Sequence, residues 1–419
     1  MPSHENVSEY IKKVCNQIKW KRVRPVIARE LENHIDDQIQ SYISSGMEPD
    51  EATEKALIQM GDPLEIGSAL DSTHRPKPEW SMLILMTVAL LIGLAIRMFV
   101  SSVNEFGQPL LPGSLLAVAI GVVCMTAVYF FDFSLIGKYP KLTQVLIIFS
   151  TLAVFILSPR SNGAPRYLHY VVLLLPIAYA AFVYIQRKKG YWGIGLSLIT
   201  AFVLSSIPFA ASLLSETLLV FLSCLIMLNI GLAKDWFCSK PVWGFILANL
   251  SALAGVLALI FTYIESIIGP FGIGYYYRPN LIKALLRGSK LFGQGDSAAL
   301  YNVPPFSDFN ERYLLAYLTH RFGWIVFFAI VTVLTAFIVR GFYLNFKQTN
   351  ILGLFISTAV LLTFTFQTIA YIICNLGFPF FSTLTLPFIA YGKTATVVNM
   401  ALIGLMLSVF RTGTLVSGE

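Results

Sequence analysis

Ten stretches of nearly unbroken apolar sequence dominate the chain after residue 80, at about 81–100, 113–131, 142–158, 167–185, 192–211, 216–233, 242–265, 322–340, 351–372 and 393–410. Each falls in or close to the roughly 17–25 residues that a helix needs to cross a bilayer, so the pattern predicts ten transmembrane helices. One long polar interruption, 266–321, breaks the series. Upstream the pattern turns amphipathic. Residues 7–18 carry apolar side chains at helical spacing, and Val26, Ile27, Leu31, Ile35, Ile39 and Tyr42 form one stripe of a helix over 24–44 with charges opposite. Gly46 stops that helix. Acids following Glu48-Pro49 start a third helix that runs to about Met60, where Gly61-Asp62-Pro63 ends it before one more short turn. The fold class is all-α: a polytopic membrane domain at 81–412, preceded by a small three-helix domain at 1–72 and a Pro- and charge-rich linker at 73–80.

Composition agrees with this division. The 419 residues are 56% hydrophobic and 13% charged, whereas an ordinary soluble domain carries about 25% charged residues. Residues 1–80 hold 10 Lys+Arg and 14 Asp+Glu, net −4, which leaves 20 and 9, net +11, for the rest. No apolar run of signal-peptide length occurs in 1–80, so this acidic domain is expected to stay in the cytoplasm. With the N-terminus inside, the inner loops carry Lys138 and Lys141, Arg187-Lys-Lys, Lys234 and Lys240, Arg340 and Lys347, with Arg411 after the last span. That satisfies the positive-inside rule. The even span count returns the C-terminus to the cytoplasm of what reads as a bacterial cytoplasmic membrane protein. The five cysteines lack disulfide or metal spacing and read as small buried hydrophobes. No nucleic-acid partner is expected.

Two outer loops oppose the charge bias. Loop 159–166 holds Arg160 and Arg166. Loop 266–321 holds Arg278, Lys283, Arg287, Lys290, Arg312 and Arg321 against Asp296, Asp308 and Glu311. A bound anion such as pyrophosphate would favour that excess; a long loop that tolerates charge is the alternative. Within 266–321, residues 279–287 form an amphipathic helix suited to the interface. The run Gly288-Ser-Lys-Leu-Phe-Gly-Gln-Gly295 permits either a simple turn or close approach to a ligand. Ser307 then suits an N-cap, with Asp308 and Glu311 in the first helical turn, where the helix dipole and Arg312 favour a charged Asp308. A carboxylate at a membrane surface among Arg and Lys suggests chemistry on a lipid-borne anion; a helix-start aspartate is the plainer reading. Arg97, near the outer end of the first span, can snorkel. Glu216 and Glu265 end spans and read as interfacial. His169 and His320 have no neighbours at metal spacing, so no metal ligand is assigned.

The order of these motifs resembles the SEDS family (FtsW, RodA, SpoVE). In it a Gly-Ser-Gly-Gly-Leu-Phe-Gly-Lys-Gly stretch precedes Pro…His-Thr-Asp-Phe and a Gly-Phe or Gly-Trp. Here these read Gly288–Gly295, Pro305-Phe-Ser-Asp308-Phe and Phe322-Gly-Trp324. Asn375-Leu-Gly…Leu386-Pro-Phe-Ile-Ala-Tyr-Gly392 is similar to the family's Asn-Ile-Gly…Leu-Pro-Phe-Ile-Ser-Tyr-Gly-Gly, and Gly163-Ala-Pro-Arg166-Tyr167 to its Gly-Ala-Arg-Arg-Trp. The family's Gln-Pro-Ser-Glu stretch is missing, and Ser215-Glu-Thr217 stands where it has Pro-Asp-Leu-Gly-Thr. The N-terminal domain resembles the permease-prefix domain. The resemblance implies a glycosyltransferase that polymerises lipid II into peptidoglycan strands at the outer membrane face, with Asp308 as general base. Arg166, Arg287, Lys290 and Asn375 are the candidate substrate-binding residues, the three cations by charge and location only. A divalent cation such as Mg2+ could share the pyrophosphate charge; no other cofactor is expected. The resemblance further implies membrane lipids and a class B penicillin-binding protein as partners. Two alternatives remain open at this point. One is a non-catalytic scaffold or regulator of a cell-wall synthase. The other is a transporter or flippase, which would place ionisable residues at mid-bilayer depth and show repeated halves; the span centres lack acids and no repeat is evident.

Overall fold

Two separately packed units make up the chain in this computed structural model, Met1–Pro78 and Glu79–Gly413. The structure describes residues 2–21, 23–76, 78–102, 110–161, 164–237, 241–268, 277–296, 312–378, 384–389 and 392–412.

The N-terminal unit has four helices, not three: α1 (Pro2–Gln17), α2 (Arg24–Ser44), α3 (Pro49–Met60) and α4 (Pro63–His74). Val14, Ile18, Ile27 and Ile35 are its buried centre. The fourth helix occupies what the sequence reads as a short turn followed by linker, and its start has a physical cause. Asp62 accepts from Leu64 N at 3.3 Å, and Pro63 and Glu65 occupy the first turn, where a missing N–H and a negative charge are both favourable. Gly67 then acts as a contact point, not a breaker. A Cβ there would lie 2.7 Å from Gln17 Cβ and 2.8 Å from Val14 O, so only glycine lets α4 settle onto α1. Lys19 N donates to Asp71 at 2.7 Å and fastens the far end. The linker thus contracts to residues 75–79. Burial raises the Cys15 thiol pKa, against the opposing pull of Arg24, which keeps the thiol protonated and slow to react. Gly67→Val should cost about 1–3 kcal/mol through overpacking, read as earlier thermal unfolding of this unit and faster maleimide labelling of Cys15. Unchanged labelling would show that α4 does not depend on this close approach.

The membrane unit comprises α5 (Trp80–Ser102), α6 (Leu110–Phe130), the short α7 (Ser134–Lys138), α8 (Pro140–Leu157), α9 (Leu168–Val171), α10 (Leu175–Gln186), α11 (Gly190–Ala210), α12 (Leu214–Ala233), α13 (Pro241–Ile268), α14 (Tyr277–Arg287), α15 (Leu314–Phe322), α16 (Trp324–Phe346), α17 (Ile351–Asn375) and α18 (Lys393–Thr412). Among the described residues nine helices, counting α9–α10 as one span, are long and apolar enough to cross a membrane. The 28-residue α13, with its apolar stretch Val242–Ala258, fills the remaining place in the series. The fold is that of a polytopic helical membrane protein, as the hydrophobic pattern predicts. α17 and α18 are buried along most of their length, whereas α8 turns Val145, Leu146, Phe149, Ile156 and Leu157 outward, as a lipid-facing helix does. A two-residue hairpin, Arg160–Ser161 with Ala164–Pro165, leads into the fourth span. That span opens with a break: a 3-10 turn at Val172–Leu174 separates α9 from α10. Pro176 has no N–H to give to the carbonyl of Val172, so the α-helical ladder cannot run through this point.

Polar side chains are drawn into the bundle. Arg97 does not snorkel: it is buried, with Nη2 3.2 Å from Thr396 Oγ1 on α18. Gln367 Nε2 of α17 lies 3.4 Å from Asn399 Oδ1 of α18. Since successive spans alternate in direction, the start of α9, the start of α12, α15, the end of α17 and the start of α18 all belong to one end of the bundle.

Candidate functional site

That end is organised around the short helix α15. Isolated helices of nine residues are marginal, and this one is secured at both ends. At its start, Ala316 N donates to Asn375 Oδ1 at 3.0 Å, while Asn375 Nδ2 donates to Arg312 O at 3.0 Å and to Tyr371 O at 2.9 Å. Hydrogen bonds also link the Tyr371 hydroxyl to the backbone of Leu314 and Leu315. The last turn of α17 therefore caps α15 across space, supplying partners for backbone groups that a helix start leaves over. At the other end the glycine-rich run 288–295 wraps over α15. Gly295 N donates to His320 O at 2.8 Å, Gly293 N to Phe322 O at 3.1 Å, and Trp324 N to Lys290 O at 3.1 Å. A Cβ on Gly295 would lie 2.6 Å from His320 Cε1. The close approach that this glycine permits is thus to the protein itself. The amphipathic α14 buries Ile282 and Leu285 beneath this lobe, and Leu285 O is 3.1 Å from His320 Nδ1.

The segment preceding α18 is also pinned. Ile389 N donates to Pro387 O at 2.8 Å around Phe388, whose φ is +66°. This is a γ-turn that a bulky residue rarely adopts. The Phe388 ring compensates by packing against Phe337 and Phe364, with centroids at 5.2 and 6.1 Å.

Between these pieces lies a cavity of about 40 Å³, lined by His169, Tyr170, Glu216, Arg312, Gln367 and Thr385, with Leu173 and Leu384. Glu216 is 1% exposed and its Oε1 sits 2.8 Å from His169 Nδ1. The interfacial reading of Glu216 is therefore wrong. It is the third residue of α12, where the helix dipole favours a carboxylate, and His169 supplies its partner. The sequence offers a signal for this in hindsight: Glu216 occupies the place of the family's Pro-Asp-Leu-Gly-Thr motif, and His169 follows the Arg166-Tyr167 motif by two residues. Gln367 and Tyr170 carry no local signal.

The predicted site residues are divided by the structure. Asn375 is fully buried and spends its polar atoms on the protein, holding α15. Arg166, Arg287 and Lys290 are exposed and do not line the cavity. Asp308, with Ser307 and Glu311, lies outside the described residues, as does the Glu265 side chain. Arg312, four residues after Asp308 in sequence, lines the cavity. Among the described residues no three His, Cys, Asp or Glu side chains converge as metal ligands, and Glu216 is engaged by His169.

The Cell cycle protein family model (FTSW_RODA_SPOVE) matches residues 79–414, the whole membrane unit. The chain belongs to this family. It is thus a multi-pass membrane protein of the SEDS type. It is 24% identical over 296 residues to Probable peptidoglycan glycosyltransferase FtsW of Buchnera aphidicola subsp. Schizaphis graminum, covering 65% of this chain and 82% of that protein. It is 23% identical over 296 residues to the protein of the same name from Aliivibrio salmonicida, covering 65% and 74%. In fold it is similar to a chain of a peptidoglycan synthase complex that coordinates polymerization and crosslinking, with TM-score 0.63 and 16% identity over 80% of this chain and 98% of that one. The Thermus thermophilus rod shape determining protein RodA gives TM-score 0.55 and 15% identity over 80% and 97%.

Asn375→Ala should release the start of α15. Loss of a cap costs about 1 kcal/mol and up to ~2, so amide exchange at 314–316 should speed by roughly 5–30-fold. Unchanged exchange would show that α17 does not hold this helix.

Proposed function

We propose that this protein polymerises lipid II into glycan strands at the outer face of the bacterial cytoplasmic membrane, with Asp308 as the general base. The observation that carries the reading is convergence. His169 and Tyr170 after the Arg166-Tyr167 motif, Glu216 of the Ser215-Glu-Thr217 stretch, Arg312, and Leu384 and Thr385 just before the Leu386-Pro-Phe-Ile motif all line one polar cavity, and family membership spans the entire membrane unit. Curated relatives bear the name peptidoglycan glycosyltransferase. The basic inner loops support an outer position for this end and cytoplasmic termini.

In this reaction the Asp308 carboxylate takes the proton from the acceptor sugar's 4-hydroxyl as its oxygen attacks the donor's anomeric carbon. The new C–O bond forms as the bond to undecaprenyl pyrophosphate breaks, with inversion, and the electron pair leaves on the pyrophosphate. A placed base contributes roughly 10²–10⁴-fold. Arg166, Arg287 and Lys290, exposed cations on the loops and α14 of this end, supply positive charge for the leaving group. The Asn375 clamp fixes the chain four residues beyond the base, which is how a residue remote from the substrate can govern its position. Because a similar chain works within a complex for polymerization and crosslinking, the partner we propose is a class B penicillin-binding protein that crosslinks the product.

Asp308→Ala should lower polymer yield from purified lipid II by at least about 10²-fold, read as glycan strands on a gel with and without the partner transpeptidase. Product formation at the wild-type rate by Asp308→Ala would remove the base. Absence of product from the wild type even with its partner would favour the scaffold.

A further inference from the structure

Among the described residues, two buried oxygen atoms of the cavity have no donor. Glu216 and Gln367 are 1% and 0% exposed. Neither Glu216 Oε2 nor Gln367 Oε1 accepts a hydrogen bond from any described residue, yet both residues line the same space. Their orientations are set from behind. The other carboxylate oxygen of Glu216 is held at 2.8 Å by His169 Nδ1, and the Gln367 amide nitrogen faces Asn399 Oδ1 at 3.4 Å. Two acceptors are therefore presented to one void from helices α12 and α17. Buried acceptors without donors are costly, so the natural occupant of this void donates hydrogen bonds.

The charge of the lining narrows the chemistry. An anion is opposed by Glu216 and a cation by the Arg312 guanidinium, which leaves a neutral donor. Size narrows it further. About 40 Å³ is room for one or two waters or for a single hydroxyl-bearing carbon, and far less than a hexose ring needs. Tyr170 and Thr385 add an aromatic face and hydroxyl groups to the same lining. A carboxylate, an amide oxygen, an arginine and a tyrosine around a small void form a set suited to a sugar hydroxyl.

We infer that this cavity is a specificity subsite for one hydroxyl-bearing arm of the saccharide carried on the polyprenyl substrate. The arm donates to Glu216 Oε2 and Gln367 Oε1 while its ring remains outside. His169 acts as a positioning residue that aims Glu216. The inference deepens the polymerase reading and rests on it. A site built to hydrogen-bond a substrate hydroxyl discriminates strongly against ligands that lack it, so this cavity distinguishes a sugar-bearing carrier from the bare carrier.

Equilibrium binding to the full-length protein in nanodiscs tests this, with lipid II and undecaprenyl pyrophosphate as the two probes. Gln367→Leu should weaken lipid II binding about two- to tenfold and Glu216→Gln roughly tenfold, as expected for loss of a neutral and a charged hydrogen bond. Binding of undecaprenyl pyrophosphate should not change. Equal weakening for both probes would overturn the inference, because it would mark a structural effect. Unchanged lipid II affinity in both variants would also overturn it, because the cavity would then hold only ordered water. If the wild-type protein forms no Asp308-dependent product from lipid II, the polymerase reading falls together with this one. Asp308-dependent polymerisation accompanied by unaltered lipid II binding in the variants would overturn the subsite alone.

Discussion

A polar group withdrawn into a membrane bundle is costly unless something other than lipid satisfies it, and a side chain too long to bond its own helix meets a partner on another. That constraint ties this structure together. Asn375 meets Ala316 across 59 residues of sequence, His169 meets Glu216 across 47, and Arg97 meets Thr396 across 299. Each tie joins segments that apolar packing alone would leave free to slide, because lipid tails are as apolar as the side chains they compete with. All three involve the helix ends or outer turns where the sequence motifs lie.

The consequence for function is a fixed platform at this end of the bundle. α15 is too short to persist alone, but α17 caps it at one end and the glycine-rich run covers the other. Arg312 is thus held at a fixed point by Asn375. The strained turn at Phe388 fixes the opposite wall. Its cost is offset by ring packing with Phe337 and Phe364, which keeps Thr385 and Leu384 at the cavity. Preorganisation of this kind suits a reaction whose catalysis lies mostly in placing a base and positive charge.

Much of this fold was legible in the sequence because a bilayer demands long apolar runs, and those runs are unambiguous. The errors fell where local pattern and tertiary contact disagree. Pro63 ends the third helix in the sequence reading, yet it also starts α4, and Gly67 lets α4 pack on α1. Arg97 and Glu216 sit near span ends, where a polar residue reads as interfacial; only the positions of α18 and α9 show that both turn inward. Asn375 was identifiable as a motif residue, but its role emerges only with α15 beside it. The glycines of 288–295 suit either a turn or a ligand cradle by sequence, and the structure shows Gly295 closing over His320. Asp308 was found by motif order, and no contact among the described residues bears on it.

The central claim is that this end of the bundle handles a lipid-linked saccharide. Site-specific photo-cross-linking tests it most directly, with a benzophenone amino acid placed at Thr385 beside the cavity or at Asn345 near the opposite end of α16, in membranes supplied with radiolabelled lipid II. The account predicts label transferred to the protein from Thr385 and none from Asn345. Labelling from Asn345 alone, or from neither position, would contradict it.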